Sequence, residues 1–245
     1  MTKETISKEL MKKIISIIFF ILIFYVLPLS LKPDLLLNGQ VILLVVVCSV
    51  LFATQPRLSI AEAKQRKSTD KNTVWLIVLV SGIGQVVSLI EWAYFPGTTT
   101  GNSTLVLPFG KEVYNVDPVL LPGSVFNWTV IGAILLISGT LFRLYAIHVL
   151  GKCFTSTVQI KAGHKIISNG PYKYLRHPSY TGAYFAMIGS AMFLHSFIGI
   201  IIFGIGMLIV YHLRIKTEER TLIHQFGVLY KLYAARTYKM FPMVW

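Results

Sequence analysis

Val74-Trp75-Leu76-Ile77-Val78-Leu79-Val80-Ser81-Gly82-Ile83-Gly84-Gln85-Val86-Val87-Ser88-Leu89-Ile90-Glu91-Trp92-Ala93-Tyr94-Phe95 carries a single charged side chain, Glu91. As a helix it rises about 33 Å, enough to cross the ~30 Å hydrocarbon core of a bilayer. Working outward, the apolar runs at about Ile14–Leu31, Leu36–Thr54, Phe126–Val149, Tyr180–Leu194 and Phe197–Ile215 read the same way, which makes six. The chain is 54% hydrophobic and 13% charged, about half the charged share of a soluble domain. Its apolar residues fall in runs, not stripes, so a soluble protein is excluded. The fifth run is short, and only His195-Ser196 separates it from the sixth. Those two form a tight helical hairpin, with the fifth helix tilted or half-embedded. The expected fold is all-α and polytopic, with about six transmembrane helices.

A net charge of +13 invites a nucleic-acid partner, but the positions of the charges decide otherwise. All 23 Lys and Arg except Lys32, Lys111 and Arg143 fall before the first run, between the second and third, between the fourth and fifth, or from Arg214 at the end of the sixth onward. That alternation is the positive-inside pattern with both termini cytoplasmic. The basic balance is therefore topology, with membrane lipid as its partner and no nucleic acid. The Lys- and Ile-rich composition points to a bacterial cytoplasmic membrane ahead of the endoplasmic reticulum. Lysines before the first run imitate a signal peptide, but the run is long and no small-x-small site follows Pro28-Leu29-Ser30, so it reads as a retained span. Cys48 and Cys153 lie in different environments and do not pair.

Composition changes after Val149. Residues 1–149 are spans and connections, whereas 150–245 hold two polar segments, 150–179 and 211–245, joined by the hairpin. In Gly170-Pro171-Tyr172-Lys173-Tyr174-Leu175-Arg176-His177-Pro178-Ser179-Tyr180, Pro178 pushes His177 out of helix and suits the first turn of the next one. A helix start favours a carboxylate or phosphate. A basic, aromatic membrane-interface turn accounts for the same residues equally well. Arg214 and Glu218 are four apart and share a helix face. On an isolated helix they are an ion pair worth a few tenths of a kcal/mol; at a membrane boundary they can bind a zwitterion. Leu222, Phe226, Tyr230 and Tyr233 continue at helical spacing as a packing stripe, and Gly227 bends or ends that helix. Glu91 reads as an interface residue and Arg143 as a snorkelling one. Gly182 and Gly189, with Ala183, Ala186 and Ser190, allow close helix packing. No metal-ligand spacing, phosphate loop or dinucleotide fingerprint is present.

The runs His164-Lys165-Ile166-Ile167-Ser168-Asn169-Gly170-Pro171-Tyr172, Arg176-His177-Pro178-Ser179-Tyr180-Thr181-Gly182 and Glu218-Glu219-x-x-Leu222-Ile223-His224-x-Phe226-Gly227-x-x-Tyr230-x-x-Tyr233 resemble the isoprenylcysteine carboxyl methyltransferase family, over roughly 154–242. The resemblance implies S-adenosylmethionine as methyl donor in a cytoplasmic cofactor pocket. Its contacts would be Gln159, His164, Lys165, Ile166, Ile167, Tyr172, His177, Pro178, Ser179, Tyr180 and Glu218. Arg214 would match the arginine that orients the acceptor carboxylate. The implied partner is a lipidic or prenylated substrate that enters from the bilayer. The wider superfamily also holds phospholipid N-methyltransferases and small-thiol methyltransferases, and shares its fold with NADPH-dependent membrane reductases. Arg214 favours the carboxylate.

Overall fold

The computed structural model describes residues 3–54, 73–95, 105–106, 112–113, 125–154 and 166–242. Helix α1 (Lys3–Ile21) continues through a π turn at Leu22–Val26 and stops short of Pro28. A 3-10 turn at Pro33–Leu37 follows, and the Asn38 side chain then accepts from the Gln40 amide at 2.8 Å to start α2 (Gly39–Ala53). Next come α3 (Thr73–Tyr94), α4 (Val125–Leu150), α5 (Pro178–Phe193), α6 (Phe197–Phe226, with a π turn at Ile202–Gly206) and α7 (Val228–Ala234). Between α3 and α4, β1 (Leu105–Val106) pairs antiparallel with β2 (Glu112–Val113).

Among the described residues three helices are long and apolar enough to cross a membrane: α3, residues Trp128–Leu150 of α4, and α6. The other three expected spans fall short for different reasons. α2 is apolar but has only 15 residues, α5 has 16, and α1 opens on a charged stretch around Lys3, Lys8 and Glu9. Large apolar side chains remain exposed along the long helices, among them Leu79 and Ile83, Ile134 and Leu141, and Ile205 and Ile209. Such surface suits lipid and not water.

Two apolar clusters fill the interior. One joins Tyr25, Leu44, Leu89, Leu136 and Phe193; the other joins Ile77, Phe203, Met207, Tyr211 and Met240. The closest contact is between α4 and α5. A Cβ on Gly182 would lie 2.6 Å from the Arg143 nitrogen and from the Gly139 oxygen. One on Gly139 would lie 2.6 Å from the Ala186 nitrogen and the Gly182 oxygen. A turn or two away, Gly132 faces the backbone of Phe193, and Gly189 that of Leu136. Glycines two turns apart on each helix let the backbones touch, and this fixes α4 beside the first turn of α5. Cys48 and Cys153 are both free thiols.

Glu91 turns its carboxylate into the protein. It is buried, and its carboxylate accepts from the Ser196 hydroxyl at 2.6 Å, the Phe197 amide at 3.2 Å and the Ile198 amide at 3.1 Å. It caps α6 across the fold, where the exposed amides and the helix dipole favour an anion. Ser196 completes the cap by accepting from the Gly199 amide at 2.9 Å.

Candidate active site

Gly170, at φ +55°, turns the chain into a 3-10 turn, Gly170–Lys173, which buries Pro171 and Tyr172. The chain then runs extended beside the C-terminal segment. The Arg176 amide donates to the Tyr238 carbonyl at 2.8 Å and the His177 amide to that of Lys239 at 3.0 Å, while Tyr238 donates back to Tyr174 at 2.9 Å. Pro178 occupies the first position of α5, where its missing N–H is harmless. His177 precedes it with φ −126° and ψ 53°, and its imidazole makes no capping bond to the helix. The ring is therefore available to a neighbouring element, and α6 supplies one.

α6 runs on past its apolar stretch, and this extension brings Glu218 and Glu219 against the α5 start. Glu218 Oε2 lies 3.4 Å from His177 Nδ1, and Glu219 Oε1 lies 3.5 Å from His177 Nε2. The Tyr180 hydroxyl donates to Glu218 Oε1 at 2.5 Å, and Arg214 Nε donates to the same oxygen at 2.8 Å. Arg214 Nε also lies 3.3 Å from the Tyr180 oxygen, and its Nη1 donates to the Thr73 hydroxyl at 3.3 Å. Stacked rings wall the cluster: Tyr180 lies 4.9 Å from Tyr211 and 5.7 Å from His177, centroid to centroid. Arg176 closes the far side. Its Nε donates to Glu219 Oε1 at 2.6 Å and its Nη1 to the carbonyls of Ala234 and Thr237. The Tyr233 hydroxyl donates to the Tyr172 carbonyl at 2.8 Å, so α7 and the residues after it strap the turn in place.

Burial disfavours a charged imidazole, but the carboxylates of Glu218 and Glu219 outweigh it and hold the His177 pKa above its ordinary value. His177 Nε2 is nevertheless buried without a close hydrogen bond, its contact with Glu219 Oε1 being a long one at 3.5 Å. An orphaned buried donor of that kind suits a ligand that brings an acceptor. Among the described residues, no group of three or more His, Cys, Asp or Glu could hold a metal ion.

Arg143 is the residue that sequence reasoning undervalued. It is 2% exposed, its guanidinium held inside the protein. Its Nε donates to the Thr54 hydroxyl at 3.0 Å and its Nη1 to the Ser179 carbonyl at 3.0 Å, so α4 grips both the end of α2 and the first turn of α5. An ionisable residue at membrane depth was the available signal.

Of the expected donor contacts, Tyr172, His177, Pro178, Ser179, Tyr180 and Glu218 come together here, with Arg214 among them. Ile166 and Ile167 are half-buried on the segment that leads into Gly170. Gln159, His164 and Lys165 lie outside the described residues. Glu219, Arg176, Thr73 and the carbonyls of the C-terminal strap complete the cluster.

The model of the isoprenylcysteine carboxyl methyltransferase family matches residues 131–224, from within α4 nearly to the end of α6. This span begins earlier than the motif resemblance and stops before the strap. Protein-S-isoprenylcysteine O-methyltransferase B of Arabidopsis thaliana is 32% identical over 135 residues, which are 54% of this chain and 68% of that protein. The protein-S-isoprenylcysteine O-methyltransferase of Dictyostelium discoideum is 30% identical over 155 residues, 62% of this chain and 55% of that one. The solved structure of a eukaryotic intramembrane Ras methyltransferase, isoprenylcysteine carboxyl methyltransferase, has a similar fold. Its TM-score is 0.58 at 22% identity, over 90% of this chain and 73% of that one.

Proposed function

Because the chain belongs to the isoprenylcysteine carboxyl methyltransferase family, we propose that it methylates the carboxylate of a membrane-embedded, isoprenylcysteine-type acceptor with S-adenosylmethionine as donor. The observation that carries this reading is the buried Arg214–Glu218–Tyr180–His177 cluster, built where the apolar part of α6 ends. S-adenosylmethionine, when bound, supplies a methyl carbon already activated by its sulfonium. Transfer to a carboxylate forms one C–O bond and breaks one S–C bond, and no proton moves. The chain therefore needs no strong base. It has to align the two reactants and exclude water from both.

The residues fit those tasks. Glu218 offers a carboxylate to the donor's ammonium group. His177, protonated, donates from both ring nitrogens, and its orphaned Nε2 suits the donor's carboxylate. Tyr172, Pro178, Ser179, Tyr180, Ile166 and Ile167, with Gln159, His164 and Lys165, would line the rest of the donor's path. Arg214 presents a planar guanidinium that matches the acceptor carboxylate. Arg214 and Glu218 satisfy each other in the structure; a zwitterionic donor and an anionic acceptor exchange that one pair for two. We place this chemistry in residues 150–245, with 1–149 as the membrane scaffold, six spans in all and both termini on the cytoplasmic face.

Calorimetry of S-adenosylmethionine binding to the detergent-solubilised protein tests the reading. The parent is expected to bind. Glu218→Ala, which strips a partner from a buried ionic cluster, should lose on the order of a hundredfold or more in affinity. Arg214→Ala should keep donor binding and lose methylation of S-farnesylcysteine. A folded parent that takes up no donor would sink the proposal.

A further inference from the structure

The region that the family model matches begins at residue 131, yet its two buried guanidinium groups both reach outside it. Arg143 donates to the hydroxyl of Thr54, the residue that ends α2, and Arg214 to the hydroxyl of Thr73, the residue that begins α3. The two threonines flank the sequence connection 55–72, so each end of it presents one hydroxyl to one buried arginine. Thr73 is 3% exposed and Arg214 likewise 3%.

We propose that Thr73 is a positioning residue for the acceptor carboxylate, acting by fixing the plane of the Arg214 guanidinium. The inference rests on the functional reading above, in which Arg214 holds that carboxylate. Glu218 and Tyr180 hold Arg214 through Nε, and in that reading both serve the donor. Thr73 takes a different nitrogen, Nη1, and comes from a helix that α5 and α6 do not carry. Two ties through two nitrogens define a plane, and bidentate recognition of a carboxylate depends on that plane. The methyl of Thr73 and its place in the first turn of α3 leave its hydroxyl few orientations.

A threonine at a helix start is ordinarily a cap whose loss costs stability alone. The two roles separate by experiment. Thr73→Val keeps the shape and removes the hydroxyl, and Thr73→Ser keeps the hydroxyl. The full-length parent and both variants are compared for three bindings by calorimetry: S-adenosylmethionine, S-farnesylcysteine and its carboxamide. Turnover of the acid is also measured. In Thr73→Val, affinity and kcat/KM for the acid should fall about tenfold, the size of one hydrogen bond to a charged group. Affinity for the carboxamide and for the donor should stay within about twofold of the parent's, and Thr73→Ser should restore the acid. The proposal fails if acid and carboxamide weaken together, if the acid is unaffected, or if serine does not rescue. The functional reading fails separately if the parent binds the acid and does not methylate it, and in that case the acid-to-carboxamide comparison still decides the role of Thr73. A parent that binds no acid overturns both.

Discussion

His177 sits with a carboxylate near each ring nitrogen, Glu218 at 3.4 Å and Glu219 at 3.5 Å, and this arrangement has a pH signature. A histidine whose pKa is raised by folding contributes stability in its charged form. That contribution is fully present below the ordinary histidine value of about 6.5 and is lost as pH rises through the higher folded value. The gap in melting temperature between the parent and His177→Gln should therefore be widest below about pH 6.5 and should narrow at higher pH. A gap that grows with pH would mean that the ring is neutral in the folded protein. At this scale the sequence shows which residues matter more readily than what they touch. His177, Tyr180, Arg214 and Glu218 stand in recognisable motifs. Their partners Thr73 and Lys239 are an ordinary hydroxyl and a backbone carbonyl, and neither type of group leaves a pattern in sequence. Arg143 was visible as a charge in an apolar run, but only the structure shows that it turns inward to Ser179 and Thr54.

Among the elements, α4 and α5 depend on each other most directly. The Gly189 position leaves no space for a Cβ against the Leu136 amide and the Gly132 carbonyl, and backbone cannot yield as a side-chain tip can. Gly189→Ala should force the helices apart and cost about 1–3 kcal/mol, in the range of overpacked cores. Gly204 has nothing within 4 Å of its would-be Cβ, so Gly204→Ala should be neutral or slightly stabilising. Thermal unfolding of both in one detergent gives the contrast; equal effects would show that the contact is not tight in solution. Helices α2 to α5 begin and end within three residues of the apolar runs that announce them. α1 and α6 do not, because hydropathy marks the part of a helix inside the bilayer and not where the helix ends. Lys3–Lys13 and Lys216–Phe226 are polar but rich in good helix formers, so each helix continues beyond its apolar run until a breaker such as Gly227, at φ +54°, stops it. The strap after α7 is invisible to periodicity, since Leu175 and Tyr238 form a single bridge and not a strand.

For the molecule as a whole, the charge pattern and the site make one joint demand, that the α5 start, the α6 extension and the strap lie on the face where the lysines and arginines gather. The cluster itself satisfies part of it, because Arg176, His177 and Arg214 meet Glu218 and Glu219 at one end of the helices. Two of the segments with no described structure, 55–72 and 155–165, carry basic residues that the positive-inside pattern assigns to the same face. The native thiols make this placement testable without redesign. Cys48 is buried in α2, whereas Cys153 is half-buried at the end of α4, one short turn beyond the last apolar residue. In a Cys48→Ser background, a membrane-impermeant maleimide should label Cys153 in inside-out vesicles and leave it untouched in intact cells. With Cys153 also replaced by serine, Lys111→Cys should give the reverse, since the positive-inside pattern assigns the sequence connection between α3 and α4 to the opposite face. Labelling of Cys153 from outside would invert the topology and carry the proposed methyl-transfer site to the wrong side of the membrane with it. Labelling of both positions from one side would mean that α4 does not cross, although it is long and apolar enough to do so.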